Sequence, residues 1–387
     1  MKLTKFLPLA LCAFFFACDS GSKPTAADTD EPESPEEKVK AIAVDYSKGR
    51  AMNQRLGKGI NLGNSWDSDG TGAKGDCGWS NCIKDEYFEI IAKAGFNSIR
   101  LPVRWQTDSD YGLHVVDPDK LEGVKEDIRL AIKNGLAVVL DFHHYIELFN
   151  YGGGYVEGDS MQTEKYLKEK DHFVALWEQV AKEMDKEFPD SLLVFDVLNE
   201  PTIPDAKVVN DLLMAAYEAI RKNAKGKTIM FEAYHAAKFG DLPTLKLPED
   251  GNIIFSGHYY EPYTYSHQGH SNQYKCNGDD AYKVTASADF KSYVISAKEN
   301  YPDKNGGFIP MNMGEFGISG QTGPCGAKGP SDKYKAIWAR EVIKIAESYD
   351  ISWHYWGFVG AGGFEAYDKK NNSWFPGFPD AFGLTAE

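Results

Sequence analysis

From about residue 43 onward, short apolar runs alternate along the chain with longer stretches in which apolar residues recur every three or four positions. The first pattern is typical of buried strands, and the second is typical of amphipathic helices. Eight runs predict strands, at 59–62, 98–101, 137–142, 192–197, 228–231, 253–256, 309–313 and 351–355. Six clear helices are predicted, at 85–94, 121–134, 164–188, 206–223, 288–300 and 332–349.

This alternation of strands and helices predicts one α/β domain over residues 43–387. Eight strands with seven or eight crossovers in roughly 340 residues fit a (β/α)8 barrel, the TIM barrel, better than an open doubly wound sheet. The stretch after the fifth strand, around 240–243, is short and only weakly helical. No Gly-x-Gly-x-x-Gly sequence follows the first strand, which argues against a dinucleotide site.

Residues 1–18 have the features of a signal peptide. Lys2 and Lys5 form a basic start, and Phe6 to Ala17 is an apolar stretch too short to span a bilayer as a helix. The end of this stretch, Phe15-Phe16-Ala17-Cys18, is similar to a lipobox, in which a lipid is attached to the cysteine after cleavage. We therefore expect a lipid-anchored protein at the cell-envelope surface, with simple secretion as the alternative.

Residues 19–42 predict an acidic, disordered linker. The segment 19–40 is rich in Ser, Pro, Thr and Ala and carries seven acidic but only three basic side chains. Such a composition cannot bury enough apolar surface to fold, and its like charges extend the chain. It would tether the domain to a lipid anchor at Cys18, which is the only membrane contact that we expect.

The composition limits the class of binding partner. The chain is 42% hydrophobic and 26% charged, as in soluble globular proteins, and it carries a net charge of −15. A strongly acidic surface argues against nucleic acid as a partner, whereas a neutral polysaccharide is compatible with it. Aromatic residues make up 13% of the chain, so we expect some of them to line a binding cleft.

The cysteines predict disulfides and not a metal site. Four of the six cysteines lie in the domain, and four permit three pairings. We favour Cys77 with Cys82 inside one loop, and Cys276 with Cys325 between two loops expected to be neighbours. Neither a Cys-x-x-Cys pair nor a suitable histidine spacing supports zinc, so we expect no metal and no cofactor.

Polar and aromatic side chains follow several of the predicted strands. Glu200 and Glu315 each come just after an apolar run, and the carboxyl ends of barrel strands converge on one face. Two carboxyl groups on that face can cleave a glycosidic bond by acid/base chemistry. Each residue alone could be structural, but together they predict an active site whose other members are Asn64, Arg100, His143, His144, Asn199, His258, Tyr260 and Trp356.

The motifs at these strand ends resemble those of glycoside hydrolase family 5, in clan A, and occur in the family's order. The similarity runs from about Tyr46 to Phe382 and is especially close to endo-β-1,4-glucanases at 258–269. The motifs are Gly-Ile-Asn-Leu-Gly-Asn at 59–64, Ile-Arg-Leu-Pro-Val-Arg-Trp at 99–105, Asp-Phe-His-His at 141–144, Leu-Asn-Glu-Pro at 198–201, His-Tyr-Tyr-Glu-Pro at 258–262, Gly-Glu-Phe-Gly at 314–317 and Tyr-Trp at 355–356.

The resemblance implies a role for each carboxylate. Glu200 would be the acid/base, and Glu315 would be the nucleophile that forms a glycosyl-enzyme. Arg100 and Tyr260 would hold Glu315 ionised and oriented. A proton donor needs a raised pKa while its partner stays ionised, and a retaining mechanism places the two carboxyl groups roughly 5 Å apart.

The resemblance also implies residues that bind substrate. Asn199 would bond the sugar 2-hydroxyl, and Trp356 would form a platform under a sugar ring. Gly357 departs from related endoglucanases, which often carry an acidic residue there. The remaining matched positions would position the carboxylates or substrate hydroxyls, namely Asn64, His143, His144 and His258.

Three other tryptophans, Trp66, Trp79 and Trp105, could be sugar platforms or could pack at the rim of the barrel. The leading prediction is an endo-acting β-1,4-glucanase, monomeric and extracellular, acting on cellulose or a related β-glucan. Xyloglucan, mannan and xylan are alternative substrates. A surface glycan-binding protein that has lost catalysis is an alternative of a different class.

Overall fold

The computed structural model describes residues 41–79 and 81–384. The predicted signal peptide, the lipidation site at Cys18 and nearly all of the linker lie outside these ranges, so they stay predictions. Across the ranges that are described, none of the helices combines the length and apolar character that crossing a bilayer requires.

Eight parallel strands in the described ranges close into a barrel in which β1 pairs with both β2 and β8. Each strand overlaps one of the predicted runs, which confirms the (β/α)8 fold. Their bounds are β1 Lys58–Asn61, β2 Ser98–Val103, β3 Ala137–Phe142, β4 Leu193–Asp196, β5 Thr228–Glu232, β6 Ile253–Tyr259, β7 Met311–Phe316 and β8 Ser352–Tyr355. A small antiparallel pair follows, β9 Tyr367–Asp368 and β10 Ser373–Trp374.

Six helices correspond to the predicted ones: α2 Asp85–Lys93, α3 Pro118–Lys133, α5 Ser160–Asp185, α6 Ala206–Asn223, α9 Ala286–Asn300 and α10 Asp332–Glu347. The others are α1 Ser47–Leu56, α4 Ile146–Val156, α7 Tyr234–Ala237, α8 Tyr263–Ser266 and α11 Phe378–Phe382. Short 3₁₀ turns lie at Phe239–Thr244, Gly278–Ala281 and Gly326–Lys328. The sequence does not predict α4, because three consecutive glycines, which are poor helix formers, interrupt its apolar pattern.

Three of the longer helices, α3, α5 and α6, start at aspartates that cap them. The Asp117 carboxylate accepts the Lys120 amide ahead of α3, and Asp205 accepts the Lys207 and Val208 amides ahead of α6. A cap of this kind satisfies amide groups that have no partner within the helix, which stabilises a helix by about 1 kcal/mol. These aspartates therefore fix where each crossover turns back toward the sheet.

The barrel interior is apolar at its amino-terminal end. There α1 places Met52 and Leu56 against inward-facing side chains of β3 to β6, and this group forms one buried cluster. We call it the lower layer, and its strand members are Ala137, Val139, Val194, Met230 and Ile254. Burial of such side chains stabilises the fold by roughly 1.5–3 kcal/mol each.

The structure contains two disulfides. Cys77 is bonded to Cys82, and Cys276 is bonded to Cys325, with Cα–Cα distances of 4.9 and 5.6 Å. These are the two pairs that we favoured. The second joins the loop after α8 to the loop after β7, so it links two segments at the carboxyl-terminal face of the barrel.

Candidate active site

Both glutamates of the predicted site lie at the carboxyl-terminal mouth of the barrel. Glu200 follows β4, and Glu315 is the penultimate residue of β7. The pairing of β6 with β7 is irregular here: Gly257 faces Met313, and the next pair is His258 with Glu315. Gly314 is thus an extra residue, and such a bulge re-aims the side chain that follows it.

Two donors hold the Glu315 carboxylate. Arg100 Nη1 donates to Oε1 at 2.7 Å, and the Tyr260 hydroxyl donates to Oε2 at 2.8 Å. The Glu315 residue is 5% exposed, so these donors replace most of its contact with water. This is the orientation that the sequence analysis predicted for Arg100 and Tyr260.

Glu200 faces two histidines. His258 Nδ1 lies 2.8 Å from Oε1, and His144 Nε2 lies 3.6 Å from Oε2. Its backbone has a φ of 46°, a left-handed conformation that is uncommon for a residue with a side chain. The Glu200 amide donates to Glu232 Oε2 at 2.7 Å, which holds the backbone in this conformation.

The two catalytic candidates are close together. One oxygen of Glu200, one oxygen of Glu315 and one ring nitrogen of His258 all lie within 4.8 Å of one another. Inverting glycosidases need about 6.5–9.5 Å between their carboxyl groups to admit a water molecule. The observed spacing of at most 4.8 Å between one oxygen of each glutamate is shorter than that range. Hydrogen bonds already occupy these three groups, so we treat them as an acid/base cluster and not as a metal site.

Arg100 lies at the centre of a charged layer above the apolar one. Its guanidinium is fully buried and contacts a carboxylate from each of four strands. We call these residues the upper layer: Arg100, Asp141, Asp196, Glu232 and Glu315. Sequence reasoning missed Asp196 and Glu232. Each follows a buried apolar residue two positions earlier, on the same strand face, which is the signal that could have found them.

The carboxyls around Arg100 differ in how their surroundings shift the pKa. Burial raises the pKa of Asp196 to about 8, and the neighbouring Glu232 charge adds to this effect. Burial also raises the pKa of Asp141 well above its usual range, against the attraction of Arg100. Asp141 and Asp196 are paired in the β3–β4 register, and both pKa shifts favour the protonated carboxyl.

The electrostatics of Glu200 differ from the predicted raised pKa. Burial raises the pKa of Glu200, but hydrogen bonds and charges of His144 and His258 outweigh it, so the net shift is downward. The direction predicted for Glu200 was therefore wrong. Burial raises the pKa of Glu315, and the charges of His258 and Arg100 only partly oppose this shift. That Glu315 is ionised stays a prediction.

His258 contributes to the downward pKa shift at Glu200, together with His144. Burial lowers its pKa, but Glu232, Glu315 and Glu200 surround it, and the net shift is well upward. Both ring nitrogens lie within hydrogen-bond distance of carboxylate oxygens of Glu200 and Glu232, an arrangement that favours the protonated ring and, through its charge, an ionised Glu200. Because the two groups are hydrogen bonded, they share one proton and titrate as a pair.

Asn199 is held with its amide nitrogen free. Its Oδ1 accepts from Arg100 Nη2 at 2.8 Å, whereas its buried Nδ2 has no hydrogen-bond acceptor among the described residues. A buried donor without a partner carries a free-energy cost unless a bound molecule supplies the acceptor. Asn199 can therefore donate a hydrogen bond into the cleft.

The remaining predicted residues form the wall beside the carboxylates. The Trp356 and His143 rings are parallel, with centroids 5.8 Å apart, and His143 Nδ1 lies 2.7 Å from Asp141. A Cβ at Gly63 would lie 2.2 Å from the Trp356 ring, so only glycine fits under this indole. Asn64 donates to the Gly360 carbonyl and bonds neither glutamate.

A comparison with known protein families identifies the domain. The family model for cellulases of glycosyl hydrolase family 5 matches residues 61–362, which is more than half of the chain. The chain belongs to glycoside hydrolase family 5. This family 5 protein is accordingly a glycoside hydrolase.

Several curated relatives of this family 5 chain are endoglucanases. Endoglucanase B of Ruminococcus albus is 26% identical over 86% of the chain and 80% of the relative. Endoglucanase H of Acetivibrio thermocellus is 26% identical over 80% of the chain, which spans only 31% of that longer protein. Solved structures of Thermotoga maritima Cel5A, one with cellobiose and one with mannotriose, are 29% identical, with a TM-score of 0.68 over 86% of this chain and 99% of Cel5A.

Two of the predicted sugar platforms in this family 5 chain are corrected by the structure. Trp105 is 0% exposed and Trp66 is 2% exposed, so neither presents a ring face to the cleft. The Trp66 indole instead donates to Asp127 of α3 at 2.8 Å. Both rings pack between the sheet and its helices. Trp79 is 49% exposed, and a sugar contact there stays a prediction.

Proposed function

We propose that the chain is an endo-acting, retaining β-1,4-glucanase with Glu200 as acid/base and Glu315 as nucleophile. The observation that carries this proposal is the separation of the two carboxylates, at most 4.8 Å between one oxygen of each. That spacing permits direct attack on the anomeric carbon, with the second carboxyl placed at the leaving group. The names of the relatives support β-1,4-glucan as the polymer.

Hydrolysis then takes two balanced steps. Glu315 forms a bond to the anomeric carbon while the glycosidic bond breaks, and Glu200 gives a proton to the departing oxygen. In the second step Glu200 takes a proton from water, the water oxygen bonds the anomeric carbon, and Glu315 leaves as a carboxylate. Arg100 and Tyr260 stabilise Glu315 whenever it is charged.

We assign the cleft residues to substrate binding. The free Asn199 Nδ2 suits the sugar 2-hydroxyl, because Arg100 fixes the amide with its nitrogen available. The Trp356 ring, partly exposed and parallel to His143, suits the face of a sugar ring. Both contacts lie beside the carboxylates, so they would position the bond to be cut.

The test is a panel of soluble polysaccharides assayed for new reducing ends, with analysis of product lengths and of the first-formed anomer. We expect rapid loss of viscosity on a β-1,4-glucan and a product that initially has the β configuration. A 2-fluoro glycoside should label Glu315. A first product of the α configuration, or a label on another residue, would disprove the mechanism.

β-Mannan is a second candidate substrate. Gly357 beside Trp356 leaves out the acidic side chain that related endoglucanases often carry there, and the Cel5A structure with mannotriose shows that a relative accepts a mannose-based ligand. The same panel distinguishes the two, because a preference of about 1–3 kcal/mol appears as a 10- to 200-fold difference in kcat/KM.

A further inference from the structure

Glu232 is a fully buried carboxylate that contacts the supports of both catalytic glutamates. It ends β5, and its Oε2 accepts the Glu200 amide at 2.7 Å. Its Oε1 lies 3.0 Å from His258 Nε2 and 3.3 Å from Arg100 Nη2. Since Glu232 is 0% exposed, substrate cannot reach it, and any influence on the reaction passes through its neighbours, which are these three groups and the adjacent Asp196.

The hydrogen bonds around Glu232 indicate which of its neighbours, and which ring nitrogens of His258, carry protons. Its oxygens face an amide N–H and a guanidinium N–H, which can only donate. An ionised Glu232 accepts both, and it then requires a proton on His258 Nε2. The second ring nitrogen, Nδ1, faces Glu200, so one further proton lies between His258 and Glu200. The three groups form a carboxylate–imidazole–carboxylate chain.

We propose that Glu232 is a positioning residue that keeps His258 protonated, so that the ring stores the proton used by Glu200. This role rests on the proposed function of Glu200 as the acid/base. In the first step the proton of His258 Nδ1 moves to Glu200 Oε1, and the neutral Glu200 gives a proton to the leaving oxygen while His258 keeps its Nε2 proton. In the second step Glu200 takes a proton from water and passes one back to His258 Nδ1, so the cycle closes with no net change.

Other charged groups lie around the Glu232–His258–Glu200 hydrogen-bond chain, and the structure gives the direction of their effects. Arg100 lies beside Glu232 and holds it ionised, and burial, which raises the pKa of Glu232, is outweighed by His258 and Arg100. Glu315 Oε2 lies 3.7 Å from His258 Nδ1 and also favours the protonated ring. His144 faces Glu200 from the β3 end. Asp141 and Asp196 contact Arg100 but make no hydrogen bond to His258 or Glu200 in the described structure.

The test is Glu232→Gln, with kcat/KM measured against pH on a soluble β-1,4-glucan. Loss of the negative charge makes the protonated His258–Glu200 pair less stable, so the alkaline limb should move about 1–2 pH units toward acid. The same measurement is made with an aryl cellobioside whose leaving group needs no proton. The fold-decrease in kcat/KM caused by Glu232→Gln should be at least tenfold smaller on this substrate than on the glucan.

Asp196→Asn is the matched control. It also removes a buried carboxyl bonded to Arg100, but burial raises the pKa of Asp196 to about 8, so this change alters the local charge little below that pH. We expect its pH profile below about pH 7 to match that of wild type. Equal losses on both substrates in Glu232→Gln, with the limb unmoved, would overturn the proposal and leave Glu232 a structural residue.

An NMR titration separates failure of this inference from failure of the proposed function. The ring signals of His258, one of nine histidines, are assigned by their absence in His258→Asn. Glu232→Gln should lower the His258 pKa by at least one unit, whether or not the protein hydrolyses glucan. An unchanged His258 titration refutes the inference, whereas absence of wild-type hydrolysis refutes the proposed function.

Discussion

The two layers of the barrel interior are built on the same strands and have opposite chemistry. In the lower layer the inward-facing side chains are apolar and pack on α1, whereas the next inward position on three of these strands carries a carboxyl group. The pairs are Val139 and Asp141, Val194 and Asp196, and Met230 and Glu232. A step of two residues, about 7 Å, separates them. The barrel interior therefore changes from an apolar core to a charged site within one layer of side chains.

The largest expected effect is the loss of activity in the upper layer. Glu315→Gln should lower kcat/KM on a soluble β-1,4-glucan at least about 10³-fold, because an amide cannot act as the nucleophile. Circular dichroism should show an unchanged fold. Glu299→Gln, the same change on the exposed surface of α9, is the control and should retain full activity. Equal activity in the two variants would show that Glu315 is not catalytic.

Arg100→Met should weaken folding by about 3–5 kcal/mol, because it leaves buried carboxyls without their counter-charge. Burial already raises the pKa values of Asp141 and Asp196, and without Arg100 they rise further, so stability is retained below about pH 4 and lost as the pH rises. Urea unfolding at pH 4.5 and 7.5 measures the difference.

The control for this change is Arg129→Met, at a 41% exposed arginine of α3 that pairs with Glu122 and Glu187. Surface ion pairs contribute only about 0–1 kcal/mol, so its loss should be small at both pH values. If Arg100→Met were no more harmful than Arg129→Met, the upper layer would not depend on its central cation.

The smallest effect belongs to the lower layer. Ile254→Val should cost about 0.5–1.5 kcal/mol of unfolding free energy, measured with urea, through the loss of one buried methylene. Its kcat/KM should stay within about twofold of wild type, although Ile254 and His258 share β6. A tenfold loss of activity would show that the layers are coupled more tightly than their chemistry suggests.

The sequence predicts the strands of this barrel well because parallel strands buried on both faces leave continuous apolar runs. It also predicts most residues at the mouth, since strand ends converge whatever their order. It could not show which carboxyl groups contact Arg100, because only closure of the barrel brings Asp196 and Glu232 next to this side chain. Nor could it show the direction of the Glu200 shift, which depends on His144 and His258 from two other strands.

Burial of a tryptophan is equally hard to read from sequence. Trp105 follows β2 directly and Trp66 follows β1, the places where cleft residues are expected. An indole is suited to both a sugar face and a core, and only the packing of α3 against the sheet decides between them.

The α1 helix has a consequence for the order in which the molecule assembles. Asn53 donates to the Asp350 carbonyl and accepts from the Ser352 hydroxyl, partners 297 and 299 residues further along the chain. Among the described residues, this first helix thus has no partner for these bonds until β8 has been synthesised. Closure of the barrel joins the two ends of the domain in one late event, and a chain that stopped before β8 would leave β1 and β7 without this strand between them.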